Sequence, residues 1–120
     1  MKKIILAIAF LFAIILTGCS SISQDTPEAA LESFINAEKT NNFRAWSKLW
    51  SNPDSFYEWQ FNSICENDKD KIFEILKDET TISGEEATVY VNVTSEGETD
   101  NCFAELVQKN GKWFLTYVNF

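Results

Sequence analysis

The hydrophobic pattern of the chain changes character twice. An unbroken apolar run from Ile4 to Leu16 follows a short basic start at Lys2 and Lys3. From Ala30 to Ile64 the apolar residues recur at helical spacing, and from Ile72 onward they alternate with polar ones. A helix is expected after Asp25-Thr26-Pro27-Glu28, with Asp25 or Thr26 as N-cap and proline at the first helical position, ending near Thr40-Asn41-Asn42. Its apolar stripe is Ala30, Leu31, Phe34, Ile35 and Ala37. Asn42 caps a second helix carrying Phe43, Trp46, Leu49 and Trp50, which Ser51-Asn52-Pro53-Asp54 breaks. A third is expected from about Asp54 to Cys65, with Phe56, Trp59 and Ile64 on roughly one side, closed by the polar segment from Glu66 to Lys71.

The second half reads as an antiparallel meander of four strands. A strand around Ile72 to Ile82 turns at Ser83-Gly84-Glu85 into Glu86 to Thr94, where Ala87, Val89, Val91 and Val93 alternate with polar positions. Ser95 to Asp100 reads as an acidic loop, and Asn110-Gly111 is a type I′ hairpin signal joining Asn101–Lys109 to Lys112–Phe120. A two-residue turn there sets Lys109 opposite Lys112. One face of the hairpin is then Cys102, Ala104, Leu106, Trp113, Leu115 and Tyr117, and the other Phe103, Glu105, Val107, Phe114, Thr116 and Val118. Both faces are substantially apolar, so the one turned away from the helices is expected to meet a second copy, a protein partner or a curled part of its own sheet.

Composition narrows the chemistry. The chain has 120 residues, 18 acidic against 10 basic side chains, a formal charge of −8 and no histidine. That size fits one domain, and that charge opposes nucleic acid or an anionic lipid surface as an electrostatic partner. The missing histidine excludes Ser-His-Asp and Cys-His catalysis and histidine-based metal sites, leaving carboxylates or tyrosines for any enzyme.

The leader supplies an address. A basic start, a short apolar run and small residues before a cysteine are the layout of a signal peptide, and Ile4 to Leu16 falls short of the roughly 20 residues that span a bilayer. Leu16-Thr17-Gly18-Cys19 resembles the lipobox of bacterial lipoproteins, which implies cleavage before Cys19 and its lipidation. The expected organisation is a signal peptide over 1–18, a lipidated tether over 19–25 and a single domain over 26–120. Loss of Lys2 and Lys3 with the leader makes the mature charge −10. The lipid bilayer, reached through Cys19, is the first expected partner, on the extracytoplasmic side of the envelope.

Helices followed by a curved four-stranded antiparallel sheet, with Thr26-Pro27-Glu28 at the start, Ala87-Thr88-Val89-Tyr90-Val91 within and Asn110-Gly111-Lys112-Trp113 near the end, resemble the nuclear transport factor 2-like superfamily. The resemblance implies a cone-shaped α+β domain and frequent dimerisation through the sheet, here through Phe103, Val107, Phe114 and Val118. The superfamily contains isomerases, dehydratases and non-catalytic members, and no catalytic motif of theirs maps onto this chain.

Three sets of residues are candidates for function. Cys65 and Cys102 are an even pair in an oxidising compartment and are expected to form a disulfide stabilising the fold by about 3 to 4 kcal/mol. Phe34, Trp46, Trp50, Trp59, Trp113 and Tyr117 are expected mostly in the core, with one or two bordering a pocket at the mouth of the cone. Asp54 and Glu58, four residues apart, are candidate general bases, although solvation is the commoner fate of such a pair. The runs Glu66, Asp68, Asp70 and Glu96, Glu98, Asp100 lack the glycine and terminal glutamate of a calcium loop and read as solvated. No cofactor or metal is expected. The leading expectation is a non-catalytic envelope lipoprotein that binds a small apolar ligand or a protein; an isomerase-type enzyme and a purely structural lipoprotein are the alternatives.

Overall fold

A computed structural model of the chain describes residues 23–120. The expected signal peptide, Cys19 and the first part of the tether lie outside the described residues. The domain is α+β, with three helices against a curved antiparallel sheet of five strands.

The first helix, α1, spans Pro27–Lys39 and starts as its sequence requires. Thr26 Oγ1 accepts the Ala29 N–H at 3.1 Å, and Pro27 takes the position whose N–H would be orphaned. Ala30, Leu31, Phe34 and Ala37 are buried along one stripe. Helix α2, Phe43–Lys48, is capped by Asn42, whose Oδ1 accepts from Ala45 N–H at 3.1 Å.

Helix α3 departs from expectation. Pro53 opens a separate 3-10 turn, Pro53–Ser55, and Phe56 stays extended so that its ring reaches Trp50 at 4.7 Å and Trp46 at 5.1 Å. The helix therefore begins later, over Glu58–Asp68, where Gln60 Oε1 accepts the Tyr57 N–H at 2.8 Å. This change of phase turns Phe61, Cys65 and Asp68 inward and leaves Trp59 68% exposed, the reverse of its expected placement.

The sheet runs in the order β1 (Ile72–Ile75), β3 (Glu86–Ser95), β4 (Glu98–Lys109), β5 (Lys112–Val118), and β2 (Thr81–Ser83) also pairs with β3. The single strand expected over 72–82 is thus two short ones, separated by a 3-10 turn at Lys77–Glu79. No acidic loop separates β3 from β4. Their ladder continues to Ser95 opposite Glu98, and Glu96 and Gly97 turn the chain with φ of 53° and 83°. Asn110 and Gly111 make the second such turn, with φ of 54° and 80°.

Lys109 faces Lys112, and the expected register holds as far as Leu106 opposite Leu115. The next pair is Glu105 opposite Tyr117, so Thr116 is an extra residue, a bulge. Its hydroxyl donates to the Glu105 carbonyl at 3.1 Å. One inserted residue exchanges the faces of everything beyond it. Tyr117 is therefore on the solvent side and Val118 packs against the core, both opposite to the expected assignment.

The edge of β5 is covered by its own chain. Leu115 N–H donates to the Leu49 carbonyl at 2.8 Å, Ser51 N–H to the Leu115 carbonyl at 2.9 Å, and Trp113 N–H to the Gln24 carbonyl at 2.9 Å. Ser23 also exchanges hydrogen bonds with the Ser33 hydroxyl, so Ser23 and Gln24, expected in the tether, are tied to the body.

Candidate functional site

The interior of the cone is filled. Trp46 is its centre, packed on Phe34 at 5.5 Å, Phe61 at 5.0 Å, Trp50 at 5.6 Å and Phe56 at 5.1 Å between ring centroids. Phe34, Trp46, Trp50 and Trp113, four of the six expected pocket residues, are core residues. The other two, Trp59 and Tyr117, are exposed on the outside. Neither of these two borders the interior: the phase of α3 carries Trp59 outward, and the bulge at Thr116 carries Tyr117 outward.

Asp54 and Glu58 are exposed and belong to different elements, a 3-10 turn and the start of α3, so they do not form a paired site. Glu66 makes a surface ion pair with Lys69 at 2.7 Å, and Asp70, Glu96, Glu98 and Asp100 are exposed. Among the described residues no group of three metal-ligating side chains converges. Cys65 and Cys102 are both buried free thiols, so the expected disulfide is not formed. They occupy separate surroundings: Cys65 faces the carboxyl groups of Glu38 and Asp68, whereas Cys102 lies on β4 with its sulfur 3.9 Å from the Asp100 carbonyl.

The chemically unusual site lies at residues expected to be solvated or unremarked. Glu38, in the last turn of α1, and Asp68, the last residue of α3, are each only 6% exposed. Trp46 Nε1 donates to Glu38 Oε2 at 3.2 Å, and Lys71 Nζ pairs with Asp68 Oδ1 at 2.9 Å. Burial, together with the hydrogen bond and negative charge of Asp68, pushes the Glu38 carboxyl up to about 8. Burial and the same two carboxyl groups push the Cys65 thiol up to about 11, which keeps it protonated and unreactive. Beside Glu38 is a cleft of about 330 Å³ lined by Lys39, Asn41, Asn62, Cys65 and Lys69.

The outer face of the sheet is the second feature. Tyr90, Phe103 and Tyr117 form a row across β3, β4 and β5, with centroids 6.4 Å and 5.7 Å apart. Val107 and Phe114 are half-buried beside them, and Lys109 Nζ lies 5.9 Å over the Phe114 ring. A shallow groove of about 320 Å³ runs alongside, with Thr88, Glu105 and Thr116 among its walls.

No protein-family model and no curated protein sequence matches the chain. Solved structures do resemble it in shape. A protein containing a SEC-C motif from Rhodopseudomonas palustris is 16% identical, with a TM-score of 0.65 over 81% of this chain and 80% of that one. A nuclear transport factor 2-like protein of unknown function from Silicibacter pomeroyi is 15% identical, with a TM-score of 0.53 over 77% of this chain and 92% of its own. The fold is nuclear transport factor 2-like. A de novo designed protein with a curved β-sheet is also similar, at 12% identity and a TM-score of 0.50 over 78% of this chain and 96% of that one. At these identities the likeness is one of fold, and the nuclear transport factor 2-like fold serves enzymes and non-enzymes alike.

Proposed function

We propose that the protein is a lipid-anchored, non-catalytic interaction module of the bacterial cell envelope, held by Cys19 and engaging a protein partner or a second copy through the outer face of its sheet. The observation that carries this reading is the contrast between the two faces. The inner face is closed by packed aromatic rings, while the outer face presents Tyr117, Phe103, Tyr90, Phe114 and Val107 with no covering layer among the described residues. Aromatic residues grouped on an exposed surface are what the core of a protein interface needs. A small apolar ligand is the less supported occupant, because the volume it would enter is taken by Trp46, Phe34 and Phe61.

The docking of Ser23 and Gln24 starts the folded body four residues after Cys19, a separation of at most about 14 Å along the chain. The domain is then held against its membrane, and its partner must be reachable there. The enzymatic alternative has to use Glu38 in place of Asp54 or Glu58, in a cleft whose lining includes Lys39, Asn41, Asn62 and Lys69 and so offers few apolar walls. Intact-mass measurement of the chain from a membrane fraction tests the anchor: the expected species begins at a lipid-modified Cys19, and an unmodified, freely soluble mature chain overturns it. Sedimentation of the mature chain with and without Phe103→Ser tests the face, where loss of association in the variant is expected and an association unchanged by it contradicts the assignment.

A further inference from the structure

The Glu38 and Asp68 carboxyl groups leave a hydrogen-bonding account that the described residues do not balance. Glu38 Oε2 receives the Trp46 indole N–H, but Glu38 Oε1 is fully buried and no donor among the described residues reaches it. What Glu38 does meet is the side chain of Asp68, another acceptor when ionised. Lys71, three residues past the end of α3, is engaged with Asp68 Oδ1. Lys39, next to Glu38 in sequence, is engaged elsewhere: its Nζ donates to the backbone carbonyls of Asp68, Lys69 and Lys71 and lies 5.3 Å over the Phe73 ring. Cys65, one turn before Asp68, faces the pair as a neutral thiol. Around Glu38 are thus the Asp68 carboxyl group and Cys65 thiol from α3, the Trp46 indole N–H from α2 and the Lys71 cation from the segment before β1, with Lys39, Lys69 and Glu66 lining the cleft alongside.

We propose that Glu38 and Asp68 share one proton, and that this proton is a latch holding the end of α3 against α1. It supplies the donor that Glu38 Oε1 lacks, since a protonated carboxyl group donates where a carboxylate only accepts. Removing it leaves two buried like charges with one lysine, paired to Asp68, to offset them, an arrangement that burial penalises severely. The element this proton helps to hold is the C-terminal turn of α3 with Lys69–Lys71, which the Lys39 contacts also tie to α1 and which runs directly into the edge strand β1. Release of the latch opens the cleft beside Glu38 and loosens that edge. The ordinary range of a carboxyl group would place this event in acid, but the surroundings of Glu38 bring its loss of the proton up to about pH 8, near neutrality.

The test is hydrogen–deuterium exchange of the full mature chain between pH 6 and 10, corrected for the intrinsic pH dependence of exchange. Faster exchange confined to 62–75, with a midpoint near pH 8, is expected for the natural chain, and Glu38→Gln, which carries its own donor, is expected to show no such step. Identical profiles for the two, or a step that spreads over the whole domain, overturn the proposal. Carbon-13 carboxyl titration of the unsubstituted chain is independent of whether the variant folds. One glutamate titrating near pH 8 supports the shared proton, and complete titration of every carboxyl group below pH 6 refutes it.

Discussion

Tyr117 lies against Phe103 on the outer face of the sheet, their ring centroids 5.7 Å apart, because Thr116 is an extra residue in β5. Strict alternation would have sent Tyr117 into the core and Val118 to the surface. The bulge thus builds the aromatic row and closes the core with the same insertion, since Val118 packs inward beside the cluster that includes Phe120. Deleting Thr116 is expected to reverse both residues and to destabilise the fold by several kcal/mol, on the order of a core overpacking combined with a lost apolar contact. Denaturant titration measures it; a change below about 1 kcal/mol would show the bulge to be incidental.

Tyr117→Ser on the unchanged backbone should do the opposite. The side chain is 47% exposed, so stability is expected to move by less than about 1 kcal/mol while any association through the sheet weakens. Urea midpoint and sedimentation, read together, separate the two effects.

The tryptophans differ sharply. Trp46 is 1% exposed at the centre of five aromatic contacts, and Trp46→Ala is expected to cost about 3 to 5 kcal/mol, enough to unfold a domain of this size. Trp59→Ala is expected to cost within about 0.5 kcal/mol, because its ring is largely in solvent. Circular dichroism melts of the two variants check the filled cone directly: a tolerated Trp46→Ala would mean that the site is a pocket.

Stability should depend on pH through Glu38. Its folded-state carboxyl titrates near 8 against an ordinary 4.5, so above 4.5 the unfolded chain gives up a proton that the folded chain keeps. Its contribution is therefore complete below pH 4.5 and is lost as the pH rises toward 8, at no more than about 1.4 kcal/mol per pH unit. Urea titrations at a series of pH values should show this decline in the natural chain and a flatter profile in Glu38→Gln. Parallel profiles would contradict the assignment.

Both cysteines in the domain should resist alkylation while it is folded. Cys65 and Cys102 are buried, and burial with neighbouring acidic groups raises both thiols above their ordinary range. Unfolding without reductant should expose two reactive thiols by mass, whereas recovery of none would show them joined.

The parts of the fold legible in the sequence are those with local causes. Thr26 and Asn42 cap helices because their side chains reach the first orphaned N–H groups, and β3 follows from the alternation of Ala87, Val89, Val91 and Val93. Asn110-Gly111 sets its hairpin for the same reason. The bulge at Thr116 has no such signature, because it answers to the curvature of the whole sheet. The phase of α3 depends on Phe56 being held by Trp50 and Trp46, a contact across the sequence. Glu38 and Asp68 did leave a trace. Leu31, Phe34 and Glu38 share the spacing i, i+3, i+7, and Phe61, Cys65 and Asp68 the spacing i, i+4, i+7, so each carboxylate continues a buried stripe. The expectation that carboxylates are solvated hid it.

Photo-crosslinking in intact cells tests the central claim most directly, with the photoreactive side chain at position 117 and, as a control, at Lys48, an exposed residue on α2. A discrete crosslinked species of defined mass from position 117, absent from position 48, is the predicted result. No product from position 117, or the same products from both positions, would contradict an interaction module working through its sheet face.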